Sequence, residues 1–130
     1  MGTTEERVME LSRKGCCCSQ VVLTIAGLDP WETESEETVR AAGGLGYGMY
    51  CQHTCGSLLG GAMALSLHLD RAGTKSACKE LSEWFCERFG GPGCSDLIGE
   101  GGSPTAVCME SMAETAEKTL ELLSERGCLQ

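Results

Sequence analysis

Apolar residues in this chain recur at three- and four-residue spacings and form no convincing alternating run, a pattern that restricts it to helices packed against helices. Thr3 and Glu6 have capping-box spacing, and Val8 and Leu11 open an apolar face that stops near Gly15. A second helix is predicted from about Cys17 to Ala26, with Val21, Val22 and Ile25 on one side and Gly27 as its stop. Thr33, Ser35 and Glu36 offer caps for a third helix through Val39 to Ala42. A fourth begins near Cys55 and carries Leu58, Leu59, Ala62, Met63 and Leu69. Its Gly60 and Gly61 cost about 1 kcal/mol each relative to Ala, which implies close packing against another backbone.

The fifth predicted helix, Thr74 to Phe89, places Ala77, Leu81, Trp84, Phe85 and Phe89 on one stripe. Gly90 to Gly93 breaks the pattern, and a short helical turn follows at Ser95 to Ile98. Ser103 and Pro104 form an N-cap and N1 pair for a last helix that runs to Arg126 and stops at Gly127. That helix turns Met112, Ala116, Leu120 and Leu123 inward and pairs Glu114 with Lys118 outside. The expected fold is all-α, a compact bundle of five or six helices forming a single domain over residues 1–130.

Ten Lys and Arg against nineteen Asp and Glu give a net charge of -9, with no basic stripe of the kind that phosphate binding needs. Nucleic acid is therefore excluded as a partner. The most apolar segment, Ser57 to Leu69, is too short to span a bilayer, so no membrane insertion is expected. Met1 to Lys14 lacks the apolar core of an export signal, and a cytoplasmic location follows by default. In that compartment ten cysteines read as metal ligands, catalytic thiols or buried apolar residues; a disulfide framework in an exported protein is the competing reading.

Four of the ten fall at predicted helix starts: Cys18, Cys55, Cys94 and Cys108. Helix N-termini present free N–H groups and partial positive charge, which stabilise thiolates and lower their pKa. Converging there, four thiolates would suit a soft metal or an iron–sulfur cluster. Neither paired C-x-x-C knuckles, nor C-x-x-C-H, nor the bacterial ferredoxin run is present, so spacing alone selects no standard metal motif.

The glycine-rich stretch Gly43 to Gly48 (GGLGYG) follows no strand, which separates it from a dinucleotide fingerprint. It reads as a loop wrapping closely around a site beside Cys55, and Gly44, Gly46 and Gly56 are candidate cofactor-binding positions. Cys16 and Cys17 offer disulfide exchange or alternate ligands, and Cys51 a resolving thiol or a ligand. Cys78 and Cys86 read as buried, inert sulfur, and Cys128 as part of a frayed tail. His53 reads as a solvated loop residue, with metal ligation as the alternative, and His68 as a charge complementing a helix C-terminus. The methionines, Met49 and Met109 among them, read as core filler.

Cys18-Ser19-Gln20, GGLGYG, Cys55-Gly56-Ser57-Leu58-Leu59-Gly60, Cys94 and Cys108 together resemble the redox-active family named for its C…GCAxxG…C…C motif. The likeness runs from about Arg13 to Cys108, with Ser57 where the family usually has Ala. Members are similar to the cluster-bearing domain of split-Soret cytochromes. The resemblance implies that Cys18, Cys55, Cys94 and Cys108 are ligands of an iron–sulfur cluster, [2Fe–2S] ahead of [4Fe–4S]. With no haem-attachment domain present, a cytochrome function is not implied. The leading expectation is electron transfer or redox sensing with a redox partner protein, as a monomer or a homodimer. A thiol–disulfide oxidoreductase without a cofactor and a structural zinc site are the alternatives.

Overall fold

The computed structural model describes residues 3–98 and 104–129. Among these residues the protein is all-helical, with seven α-helices and no strand. They are α1 (Thr4–Arg13), α2 (Cys18–Leu23), α3 (Glu36–Ala42), α4 (Gly56–His68), α5 (Arg71–Phe89), α6 (Cys94–Ile98) and α7 (Pro104–Glu125). The expected count of five or six is therefore too low. The short turn before the last helix counts as a helix, and every other expected element is present.

Local signals set most boundaries. Thr3 Oγ1 accepts the Glu6 N–H at 3.1 Å and Ser35 Oγ accepts that of Thr38 at 3.4 Å, so both act as N-caps. Gly90 ends α5 in the left-handed region at φ +87°. Helix α5 starts three residues before the predicted Thr74, because the Asp70 carboxylate accepts the Gly73 N–H at 2.8 Å and caps it. The predicted cap Ser103 lies outside the described residues.

Two boundaries differ for tertiary reasons. Gly27 does not stop the second helix; the chain passes through it in a π-helical turn, Thr24–Leu28, that is buried throughout. A Cβ on Gly27 would stand 3.1 Å from the Ala64 backbone, so this residue is small for the sake of α4 rather than as a terminator. The second difference concerns GGLGYG, which is not an open loop. It winds as a 3-10 turn, Gly43–Leu45, and then as a left-handed turn in which Tyr47, Gly48, Met49 and Tyr50 all have positive φ.

Helix α4 is the central element, packed against α2, α5 and α7. Gly60 permits this on one side, since a Cβ there would overlap the Ser19 carbonyl of α2. On the other side a Cβ at Gly61 would come within 2.8 Å of Leu81 on α5 and Thr119 on α7. The cost of two helical glycines is thus offset by a backbone-to-backbone approach at Gly60 and by room for the Leu81 and Thr119 side chains at Gly61. The core lies on either side of α4: Val8, Leu11, Val21, Val22 and Met112 on the α1–α2 side, and Leu65, Leu81, Phe85, Leu122 and Leu123 on the α5 side.

Long-range polar contacts lock the layers. His68 places Nε2 at 2.7 Å from the Gly27 carbonyl and stacks on Trp31 at 3.5 Å between ring centroids. It is a staple between α4 and the turn after α2, and it stands in the last turn of α4 where it was expected. Glu114 pairs with Arg88 of α5 rather than with Lys118, which reaches Glu121 instead. No described helix is long and apolar enough to cross a membrane.

Candidate functional site

Cys55 and Cys94 are brought near each other by a short antiparallel pairing of residues 53–55 with residues 92–94. The Cys55 N–H donates to the Pro92 carbonyl at 2.6 Å, the Cys94 N–H donates to the His53 carbonyl at 3.1 Å, and Thr54 pairs with Gly93 between them. The Asp96 carboxylate accepts the Gly93 N–H at 2.9 Å and holds the second of these segments at the start of α6. Cys55 is then the N-cap of α4, with its side chain buried.

Cys18 opens α2. The preceding residue, Cys17, caps that helix, and its N–H donates to the Gln20 side-chain oxygen at 3.0 Å. Gln20 in turn donates to the Val39 carbonyl at 3.0 Å, and the buried Ser19 hydroxyl donates to the Ala42 carbonyl at 2.6 Å. These two bonds tie the end of α3 to the start of α2 and lay the glycine-rich segment over Cys18. Cys108 stands one turn into α7, where the Ser111 hydroxyl donates to its carbonyl at 2.9 Å and meets the Ser57 hydroxyl at 3.1 Å. Ser57 thereby links α4 to the helix of Cys108.

The four cysteines share one electrostatic neighbourhood centred on Cys55. The Cys18 thiol is pushed up to about 11, by burial first and then by the neighbouring Cys55 and Cys17 sulfurs, against the opposing backbone N–H groups of Tyr47 and Ser19. The Cys94 thiol is raised first by burial, then by Cys55 and Cys108, with the Gly56 N–H opposing. Cys108 is raised by burial and by Cys55. The expectation that helix starts depress these thiols is therefore corrected for Cys18, Cys94 and Cys108. The N–H groups act in the expected direction, but desolvation and like charge outweigh them. Among the described residues, no three His, Cys, Asp or Glu side chains stand close enough to hold one ion.

The candidate glycines divide. A Cβ on Gly56 would overlap the Cys18 sulfur and stand 3.0 Å from the Leu45 carbonyl, and one on Gly46 would lie 2.6 Å from the Cys17 sulfur. Gly44 has nothing within 4 Å and borders no thiol. The turn beyond them exposes Tyr47, Met49 and Tyr50, so Met49 is not core filler. Each non-glycine residue there sits in a region that costs about 1–2 kcal/mol, and the His53 N–H closes the turn on the Gly48 carbonyl at 3.1 Å.

Of the remaining cysteines, Cys51 is exposed on this turn, while Cys78 and Cys86 are half-buried rather than buried. Cys128 is not frayed: it is half-buried, packs beside the α5-side core and lies 3.7 Å from the His68 carbonyl. A cavity of about 370 Å³ lined by Cys16, Cys17, Cys18, Cys108, Met109 and Tyr47 opens beside the site. Sequence reasoning passed over Ser19, Gln20 and Ser111 as positioning groups. The only signal for them was a polar residue within an apolar stripe.

No curated protein and no solved structure matches this chain. A family model described as "Putative redox-active protein (C_GCAxxG_C_C)" matches residues 16–122, a span that holds Cys18, Cys55, Cys94 and Cys108. With the match covering most of its length, the chain belongs to that redox-active family.

Proposed function

We propose that this protein is a redox module that uses Cys18, Cys55, Cys94 and Cys108 to hold one iron–sulfur cluster, [2Fe–2S] in preference to [4Fe–4S], for electron transfer or redox sensing with a protein partner. One observation carries the reading: the start of α4 at Cys55 meets the Cys94 segment through backbone pairing, the Cys18 sulfur beside Gly56, and the Cys108 turn of α7 through the Ser57–Ser111 hydroxyl contact. The donor set fits. Thiolates are the ligands such clusters take, and thiols crowded without a counter-charge are the groups that a cation makes acidic. Such a cluster supplies one-electron chemistry when bound.

The chain's own residues prepare the place. The N–H groups of Tyr47, Ser19 and Gly56 favour anionic sulfur at Cys18 and Cys94. The absence of a Cβ at Gly56 leaves room for the Cys18 sulfur beside Cys55. Burial keeps water from the Cys55 side chain. Loading releases protons from the thiols and requires the sulfurs to close in from where they stand.

A specific observation favours a second reading. The pairing of the 53–55 and 92–94 backbones sets Cys55 and Cys94 near each other, as in a dithiol that cycles with a disulfide. Anaerobic purification followed by iron, sulfide and zinc analysis, with Cys55→Ser and Cys51→Ser alongside, separates these readings. Stoichiometric iron and sulfide that are lost in Cys55→Ser and kept in Cys51→Ser are expected. Zinc in their place would make the site structural, and a metal-free protein whose thiols cycle with a reductant would favour the dithiol. Iron retained in Cys55→Ser would remove Cys55 from the site and end the cluster reading.

A further inference from the structure

A groove of about 1070 Å³ runs between α1, the α2 segment and α3, at the upper end of the size range of small-molecule sites. Its floor is apolar, formed by Leu11, Leu28 and Val39, and Cys16 lies in its wall. Cys16 is half-buried and also borders the smaller thiol-lined cavity, so it forms the partition between the two.

The rim carries both signs of charge. Arg7 is committed, since its guanidinium bonds both carboxylate oxygens of Asp29 at 2.8 and 3.0 Å. Lys14 has only a 3.5 Å surface pairing with Glu10, of a kind worth about 0–1 kcal/mol. Arg40 lines the groove with no ion pair among the described residues, and Glu32, Glu34 and Glu36 supply exposed carboxylates opposite these cations in sign. An apolar floor, a thiol in the wall and a rim of both charges complement one kind of occupant: a small zwitterionic peptide disulfide.

We propose that this groove binds low-molecular-weight zwitterionic disulfides and that Cys16 exchanges with them. In the exchange the Cys16 sulfur attacks one sulfur of the disulfide. A new S–S bond to Cys16 forms as the old one breaks, and the other half leaves as a thiolate that takes up the proton Cys16 gives up. The electrons balance within the pair, because the disulfide supplies the oxidising equivalent. Cys16 lies outside the family's four-cysteine pattern, so this activity does not depend on the cluster.

The test uses the full-length reduced protein and oxidised glutathione as the probe, with peptide mass mapping to locate the adduct and its rate. The expected result is a mixed disulfide at Cys16 that forms about fivefold more slowly in Arg40→Ala and in Lys14→Ala, as for the loss of one surface charge pair. Hydroxyethyl disulfide, which is neutral, should label Cys16 of the wild type and both variants at one rate, which also shows the variants folded. An adduct at Cys51 or Cys17 with Cys16 left free would overturn the proposal. So would a glutathione rate indifferent to both charge substitutions.

Discussion

Replacing Gly56 by Ala tests how tightly the cysteine site is built. The new Cβ would overlap the Cys18 sulfur, which must retreat by about 1 Å to reach ordinary contact at 3.4 Å. The start of α4 cannot move the other way, because the Leu45 carbonyl would stand 3.0 Å and the Gly46 Cα 3.4 Å from the same Cβ. If the backbone absorbs the clash, the cost is that of overpacking, about 1–3 kcal/mol, read as a lower urea midpoint. If Cys18 turns to another rotamer instead, stability changes little, but its sulfur leaves the neighbourhood of Cys55 and iron content falls. Gly44→Ala is the control: with nothing within 4 Å it should be neutral, or stabilising by up to about 1 kcal/mol. Urea unfolding and anaerobic iron analysis on both variants read the two effects. A Gly56→Ala protein with unchanged midpoint and unchanged iron would refute the reasoning.

Three further outcomes follow from named contacts. Ser19→Ala removes a buried hydroxyl that donates to the Ala42 carbonyl at 2.6 Å, and should lower unfolding stability by about 1–3 kcal/mol in a urea titration. His68→Ala removes both the bond to the Gly27 carbonyl and the stack on Trp31, and should cost about 1–3 kcal/mol, with tryptophan fluorescence reporting the freed Trp31. In the metal-free protein, Cys18 ionises near 9.0 when unfolded and near 11 when folded, so the native state holds that proton more tightly. Its contribution to stability should be complete below about pH 8 and lost as pH rises from 9 to 11; a Cys18→Ser protein should show a shallower decline over that window, and an identical decline would refute the assignment.

Most of the helical layout was legible without coordinates because its causes are local. Capping by Thr3 and Ser35 and the stop at Gly90 act within a single turn of helix, and the spacing of Ala77, Leu81 and Phe85 shows which face of α5 is buried. The close backbone packing inferred for Gly60 was legible for the same reason, since a glycine inside a helix needs a cause, whereas Gly61 makes room for side chains of α5 and α7 instead. Gly27 was misread because a terminating glycine and a contact glycine look alike in sequence; only Ala64, across the interface, distinguishes them.

Capping, periodicity and breaking glycines were enough to read the helical class, the order of the elements and the position of Cys18, Cys55, Cys94 and Cys108 at or near helix starts. The pairing of the 53–55 and 92–94 segments, the approach of the Cys18 sulfur to Gly56 and the burial that raises the Cys18, Cys94 and Cys108 thiols came only from the folded chain. The physical reason is range. Helix formation and capping depend on neighbours within about four residues, whereas desolvation and Coulomb forces depend on every group nearby in space, however distant along the chain.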